Sequence, residues 1–211
     1  MKQLQKVPWC LLVIFLVMIL APSASSRAQE NPFGIFISNN VVSLPVTGLP
    51  ATTHAQFHPG VDLFTGFRLN QHSRHQWWAH ANLGVYYHRF FQTGLRLHGS
   101  IDYRYVMSKR LSFDAGLIAG YMHSFTWYDV FEMDGDGDYQ KIAKLKGRPQ
   151  VLGGFRIGVS TPLMPAKAEG LALHLDLRTY LQAPFAGAYI PIIPTNALML
   201  GVSKSLTRKS E

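Results

Sequence analysis

Residues 92–107, QTGLRLHGSIDYRYVM, alternate between two kinds of side chain at nearly every step. One set is mostly apolar and includes Leu95, Leu97 and Ile101, while the intervening set is polar or charged. Successive side chains of a β-strand point to opposite faces, so this pattern predicts a strand with one oily face and one charged face. The segment is also longer than most strands of globular proteins, which rarely exceed roughly 10 residues.

The same alternation recurs along the chain, at 61–69, 76–88, 110–127, 150–160, 171–181 and 197–206. A weaker eighth segment, Phe33–Ser38, could be a strand or a plug inside a closed sheet. No segment after residue 28 shows a convincing helical period of apolar residues. Single-chain bacterial barrels have an even number of strands, so eight strands is the count we expect.

A soluble β-sandwich also alternates, but its polar faces normally carry many lysines and glutamates. Here those faces hold glycine, serine, asparagine, glutamine, histidine and Asp/Arg combinations, and the lysines fall in turns and loops. Only 15% of the residues are charged, against about 25% in soluble proteins. The sequence therefore predicts an all-β fold, an antiparallel transmembrane β-barrel of eight strands with its apolar face toward lipid.

The charged faces then point into the lumen, where they predict a hydrogen-bonded and ion-paired polar network. A one-residue slip would turn Arg96 and Arg104 into lipid, at a cost of about 2–4 kcal/mol each near the midplane. Eight strands leave an interior just wide enough for side chains, which favours a plug over an open conduit. The predicted network comprises Asp62, Arg68, His80, Arg96, His98, Asp102, Arg104, Asp114, Arg156, His174, Asp176 and Arg178.

The first 28 residues have the pattern of an export signal. Basic Lys2 and Lys6 precede the apolar run 11–21, and small residues lead up to a cleavage site after Ala28. Residues 29–211 would then form the barrel in the outer membrane of a Gram-negative bacterium. Cys10 is the only cysteine and lies inside this signal, so the exported chain would hold no disulfide, catalytic thiol or cysteine metal ligand.

Connection lengths predict the topology, because long loops of such barrels face outward and short turns face the periplasm. The long connections are 39–58, 128–147 and 182–194, and all three lie at one end if the N-terminus is periplasmic. Outside the predicted signal, the excess of basic over acidic residues is scattered through the strands, apart from a cluster near the C-terminus. This distribution argues against nucleic-acid binding.

Four stretches resemble the small outer-membrane β-barrel proteins of Bacteroidetes-type bacteria. These stretches are FHPG (57–60), WWAHANLGVYYH (77–88), GYMHSFTWYDVFEMDGDGDYQKI (120–142) and GRPQVLGGFRIGVS (147–160). The resemblance implies an outer-membrane barrel in contact with outer-membrane lipid and inserted by the barrel assembly machinery. It implies no activity and no particular extracellular partner. The chain departs from many outer-membrane proteins in lacking a terminal aromatic residue, since it ends TRKSE.

Two chemical alternatives depend on particular residues. Outer-membrane lipid A deacylases carry a lipid-facing His-x-Ser pair, whereas His123 and Ser124 are adjacent and should point to opposite faces. That spacing argues against such an enzyme. The function that we expect is a structural or surface-interaction barrel, and the alternatives to it are a lipid-modifying enzyme and a conduit or binder for a small ligand. The DGDGD run places Asp134, Asp136 and Asp138 as weak candidates for a hard cation, but an acidic turn explains them better. No catalytic group, cofactor or bound metal is predicted.

Overall fold

Eight long strands form the wall of the molecule in a computed structural model of the chain. The structure describes residues 30–90, 92–126, 129, 131–133, 135–141, 147–163, 170–185 and 190–207, so the predicted signal 1–28 lies outside it. The wall strands are β1 (Glu30–Val42), β2 (Pro59–Arg68), β3 (His75–His88), β4 (Gln92–Ser108), β5 (Leu111–Phe125), β8 (Arg148–Pro162), β9 (Leu171–Ala183) and β10 (Ile193–Thr207). Two three-residue strands, β6 (Phe131–Met133) and β7 (Tyr139–Lys141), form a separate hairpin between β5 and β8.

The eight strands pair in chain order, and every pair is antiparallel. The first strand closes the sheet by pairing with the second and the last, so that Ile35 lies opposite both Leu63 and Val202. Closure leaves no unpaired strand edge, which satisfies the backbone hydrogen bonds of every strand within the wall. The fold predicted from the alternation is therefore confirmed: a closed, antiparallel, eight-stranded β-barrel.

The two faces of the wall differ as the alternation predicts. In β2 and β3, buried and exposed residues alternate along almost the whole length. Large apolar residues are exposed on the outer face of every wall strand, and include Ile35, Leu63, Leu83, Ile101, Leu117, Ile157, Leu175 and Leu200. An apolar exterior on all eight strands is suited to lipid and not to water.

Strand β1 is longer and more regular than the sequence suggested. The weak segment Phe33–Ser38 is the centre of a strand of 13 residues, Glu30–Val42, and is the eighth wall strand rather than a plug. The predicted loop 39–58 therefore begins too early. Asparagines hide the strand signal: Asn40 faces the lumen, and Asn39 is held on the outside by the connection that follows.

The connection after β1 contains a short helix, α1 (Gly48–His54), preceded by a 3₁₀ turn at Pro45–Thr47. The sequence shows no helical period here, because seven residues make only two turns and most of them do not pack inward. The side-chain amide of Asn39 donates to the carbonyl oxygen of Thr52 at 2.8 Å. That of Asn196 in β10 donates to the carbonyl oxygen of Ser43 at 2.8 Å. The connection 43–54, which includes helix α1, thus satisfies outward-facing amides that lipid would leave without hydrogen bonds.

The connections divide the barrel into two unlike ends. The loop end carries the long connections 43–58, 126–147 and 184–192 together with the tight turn 89–91. The turn end carries the connections 69–74, 109–110 and 163–170, together with the start of β1 and the end of β10. Of the described residues, none belongs to a helix whose length and hydropathy would let it cross a membrane.

Candidate functional site: the ion cluster of the lumen

Aspartate, arginine and histidine side chains from six strands meet inside the barrel. Ten of the twelve predicted network residues are buried, with at most 6% of their surface exposed: Asp62, His80, Arg96, His98, Asp102, Asp114, Arg156, His174, Asp176 and Arg178. Each comes from the inward set of its strand, so period-two alternation is what brings them together. We call the residues of this set, together with Arg104, the ion cluster.

Arg156 is the centre of the ion cluster, because its guanidinium lies between two carboxylates. Its Nη1 is 3.3 Å from Asp102 Oδ2, and its Nη2 is 2.9 Å from Asp176 Oδ2. Asp176 also accepts a hydrogen bond of 3.0 Å from Arg178, and Asp102 lies 2.5 Å from the Nδ1 atom of His80. This chain of contacts crosses from β3 and β4 to β8 and β9 and fills the middle of the lumen.

Arg96 occupies a second position, where aromatic rings replace one of the carboxylates. It donates to Asp62 at 2.9 Å and to the side-chain oxygen of Asn40 at 3.0 Å. Its guanidinium carbon lies 4.8 Å from the ring centre of Tyr86 and 4.7 Å from that of Tyr180. Cation–π contacts of this kind gain strength when the cation is desolvated, as Arg96 is.

Arg104 forms the third pair, nearer the turn end. Its Nε donates to Asp114 at 2.7 Å, and its guanidinium carbon lies 5.1 Å from the ring centre of Trp78. Asp114 also accepts a hydrogen bond of 3.2 Å from Ser160. The Arg104 side chain keeps 17% of its surface exposed, so this pair is less enclosed than the central ones.

The two remaining histidines pack among rings. His174 Nε2 lies 2.8 Å from the hydroxyl oxygen of Ser203, and its ring packs edge-on against Phe36 and Phe64, with interplanar angles of 62° and 85°. His98 packs edge-on against Tyr180, with ring centres 5.5 Å apart, and neither ring nitrogen has a hydrogen-bond partner in the described part of the chain. Both histidines are therefore packing elements of the lumen.

Arg68 is the predicted network residue that lies apart from this cluster, and its assignment is corrected. It is the last residue of β2, where the wall ends, and it is half-buried. Its guanidinium donates to the carbonyl oxygen of His72 at 2.6 Å and so braces the 69–74 turn. Among the described residues, no ion pair joins it to a carboxylate of the lumen.

Glycines make room for the carboxylates, which the sequence alone did not indicate. In the strand register, Asp62 lies opposite Gly84, Asp102 opposite Gly116, and Asp176 opposite Gly158. A Cβ atom at any of the three glycines would overlap a carboxylate oxygen of the aspartate opposite. The signal was present as inward-facing glycines, but only the pairing of strands reveals which acid each one accommodates.

The inward aromatic and amide partners were also missed. Tyr86, Tyr180, Trp78 and Phe36 all lie in the inward sets and are nearly fully buried, where they stack on guanidinium groups. In the sequence, a large ring among charged residues looks like a break in the polar face of the strand. The rings occupy the same inward positions of the alternation as the arginines, and this was the signal that could have identified them.

His123 and Ser124 lie on opposite sides of the barrel wall, as their spacing predicts. His123 Nδ1 is 2.7 Å from the hydroxyl oxygen of Tyr121, which precedes it on the outer face of β5. Ser124 faces the lumen and is fully buried. A hydroxyl and an imidazole separated by the backbone cannot act as a nucleophile and its base.

The acidic run lies at the loop end. Asp136 and Asp138 are exposed in the turn between β6 and β7, whereas Asp134 lies outside the described residues. Within the described ranges, no three histidine, cysteine, aspartate or glutamate side chains converge as ligands for one metal ion.

A closed wall, an apolar exterior on every strand and a lumen filled with paired charges define a class of protein. It is the transmembrane β-barrel of the outer-membrane type, in its smallest, eight-stranded form.

The chain is similar in structure to Neisserial surface protein A, with a TM-score of 0.53 and 11% sequence identity over 85% of this chain and 98% of that one. Ail, the attachment invasion locus protein of Yersinia pestis, gives a TM-score of 0.43 and 11% identity over 84% of this chain and 97% of that one. The outer membrane enzyme PagL gives 0.44 and 10% identity over 82% and 97%. No family model and no curated sequence matches the chain. At this identity the likeness to Neisserial surface protein A concerns the fold.

Proposed function

We propose that the chain is a structural or surface-interaction barrel of the outer membrane of a Gram-negative bacterium. The observation that carries this proposal is the ion cluster, in which Arg156 joins Asp102 and Asp176 across the lumen. Charges that satisfy one another in the interior leave the lumen closed, so the barrel acts through its ends and its lipid-facing wall.

The loop end is the surface that meets the environment. It holds the three long connections, and the hairpin β6–β7 extends one of them beyond the wall. Asp136, Gly137 and Asp138 at the hairpin turn are exposed, and a turn with charged side chains and polar backbone groups belongs in water and not in hydrocarbon. Because long loops of such barrels face outward, we assign the loop end to the cell exterior.

Two other functions have weaker support. A small-ligand conduit would need a passage through the lumen, where Arg96, Arg156 and Arg178 are buried with their partners. A lipid-modifying enzyme would need a nucleophile beside His123, and the neighbouring hydroxyl of Ser124 faces away from it. The Tyr121–His123 pair instead suits a polar contact near the lipid headgroups.

Export and insertion complete the proposal. We expect signal cleavage after Ala28, insertion by the barrel assembly machinery, and membership of the Bacteroidetes-type family that the sequence resembles. N-terminal sequencing of membrane-extracted protein should begin at Gln29. A mature protein that retains the apolar run 11–21 would contradict the export proposal.

An epitope inserted between Asp136 and Gly137 tests the orientation. Both residues are exposed, and Gly137 has a φ of +91 in an open turn, so the insertion should leave the wall intact. We expect antibody to label this epitope on intact cells. The matched control is the same epitope between Lys109 and Arg110, in the 109–110 turn of the opposite end.

The control epitope should be labelled only after the outer membrane is permeabilised. The reverse pattern, with the 109–110 epitope labelled on intact cells, would invert the topology. It would also remove the basis for a surface-interaction role of the loop end.

A further inference from the structure

Two turns at the turn end lie side by side and carry exposed cations. The 69–74 turn leads into β3 and the 109–110 turn follows β4, and β3 and β4 are paired neighbours in the wall. The amide of Val106 donates to the carbonyl oxygen of Arg74 at 2.9 Å, which ties the first turn to the end of β4. Arg74, Lys109 and Arg110 are all exposed there. Cations some 35 positions apart in the chain thus lie at the same end of two paired strands.

Aromatic side chains cover the outer wall directly beside these cations. His75 Nδ1 lies 2.5 Å from the hydroxyl oxygen of Tyr103, and the rings of His75 and Tyr105 are 5.3 Å apart. Trp77 lies opposite Tyr103 in the strand register, with ring centres 5.4 Å apart. Trp77 and Tyr105 keep 46% and 37% of their surface exposed. Amphipathic rings in this position mark the level of lipid headgroups.

The charge of this region is unbalanced within the described part of the chain. Glu30 begins β1, which β2 separates from β3, and the other carboxylates of the described ranges lie in the lumen or at the loop end, where Asp129 pairs with Lys141 at 2.8 Å. None of the ion pairs between described residues involves Arg74, Lys109 or Arg110. The basic–aromatic patch, defined as Arg74, Lys109, Arg110, His75, Trp77, Tyr103 and Tyr105, therefore presents positive charge next to lipid.

We propose that the basic–aromatic patch binds an anionic glycerophospholipid of the leaflet at the turn end. The headgroup phosphate lies among the three cations, since guanidinium groups bind phosphate oxygens in pairs and lysine adds a point charge. The acyl chains follow the outer wall past Trp77 and Ile101, which are both exposed. The inference rests on the proposed position in the membrane, and its test does not depend on which end faces outward.

Quenching of Trp77 by brominated lipid tests the proposal. The protein carries Trp127→Phe, so that Trp77 reports on lipid contact while Trp78 is 3% exposed and shielded in the lumen. It is reconstituted into vesicles of equal phosphatidylglycerol and phosphatidylcholine, with bromine on the acyl chains of one lipid or the other. We expect brominated phosphatidylglycerol to quench more strongly, by a factor corresponding to a several-fold local enrichment.

The variant Arg74→Gln/Lys109→Gln/Arg110→Gln should bring that enrichment down to about one. The matched control Arg89→Gln/Lys141→Gln/Lys204→Gln removes the same charge at sites away from the patch, and it should keep the enrichment. Raising the salt to 0.5 M should weaken the enrichment in the unaltered protein, because exposed charges are then screened. The salt dependence is measured on the unaltered protein, so it tests the proposal even if the triple variant does not fold.

Equal quenching by the two lipids in the unaltered protein would overturn the proposal. So would an equal loss in the control variant, which would show a general attraction to basic protein. Both outcomes leave the surface-interaction function intact, since epitope labelling tests that function separately. A reversed labelling pattern would instead overturn the proposed topology and leave the vesicle result as evidence of headgroup binding.

Discussion

The inner and outer faces of the barrel wall follow different rules, although they alternate along the same strands. On β4, the outward Leu95 and Ile101 are 45% and 46% exposed, and the inward Arg96 and Asp102 are fully buried. The outer residues contact lipid acyl chains, which are fluid and adapt to any apolar shape. The inner residues meet fixed partners at 2.5–3.3 Å. An outward position therefore requires apolar character, whereas an inward position requires one particular neighbour.

The largest effect is expected from removing the centre of the ion cluster. Arg156→Leu leaves Asp102 and Asp176 buried without the cation that bridges them, and breaking a buried pair in this way costs about 3–5 kcal/mol. The free energy of unfolding of the barrel in lipid vesicles, from urea titration, should fall by that order.

Ile157→Leu is the matched control, because Ile157 is the next residue along β8 and faces outward with 52% of its surface exposed. Its unfolding midpoint should stay close to that of the unaltered protein. Equal losses in Arg156→Leu and Ile157→Leu would mean that the two faces do not differ in the way described.

A charge placed on the outer face should have the next largest effect. Leu117 is 73% exposed at the middle of β5. Leu117→Arg puts a guanidinium into hydrocarbon at a cost of about 2–4 kcal/mol near the midplane. Leu117→Ile should cost far less, since lipid accepts either shape. A Leu117→Arg barrel as stable in vesicles as the unaltered one would place this residue in water.

Glycine substitutions compare the two faces with a single methyl group. At Gly116, the added Cβ would overlap Asp102 and approach the carbonyl oxygen of Ile101 to 2.7 Å, so Gly116→Ala should destabilise the barrel by about 1–3 kcal/mol. Apart from its two chain neighbours, no described residue has an atom within 4 Å of the Cβ position of Gly153, and Gly153→Ala should change stability by less than about 0.5 kcal/mol. Urea midpoints of the two variants give the difference directly.

The smallest effect concerns the mouth of the lumen at the loop end, where imidazoles replace ion pairs. His58 is buried and stacks on His88, with ring centres 3.6 Å apart. Burial lowers the pKa of His58 from its usual value of 6.5, so the folded protein binds this proton less readily than the unfolded chain. The contribution of His58 to the free energy of unfolding is therefore complete above pH 6.5. It is lost as the pH falls from 6.5 through the lower pKa of the folded state.

His58→Gln should therefore reduce the loss of stability between pH 7 and pH 5. Urea midpoints at the two pH values, compared with the unaltered protein, give the change. An unaltered slope in the variant would mean that His58 does not contribute to the acid sensitivity of the mouth.

Much of the wall could be predicted from the sequence, because alternation is local and each strand contains it. The register of Asp102 opposite Gly116 could not be predicted, since it depends on how two strands pair. The outward amides Asn39 and Asn196 interrupt the alternation at the ends of β1 and β10, and only the connection 43–54, which accepts their hydrogen bonds, explains them.

The candidate site shows the same limit. Parity placed Arg96 and Asp62 on inward faces but did not reveal that they would pair at 2.9 Å. The alternation also assigned Arg68 to the network, because alternation shows which face a residue occupies and not how far along the lumen it lies. The basic–aromatic patch joins two turns that are distant in sequence, so only the closed sheet brings its members together.

Oxygen accessibility of spin labels tests whether the outer face of all eight strands lies in lipid. The only cysteine, Cys10, falls in the predicted signal, so single cysteines can be placed at outward mid-strand positions. The eight positions are Ile35, Leu63, Leu83, Ile101, Leu117, Ile157, Leu175 and Leu200. Every label should be relaxed strongly by oxygen and weakly by a water-soluble nickel chelate, unlike a label at Lys109 in the exposed turn. A label on any strand that the nickel chelate reaches as readily as Lys109 would contradict the account.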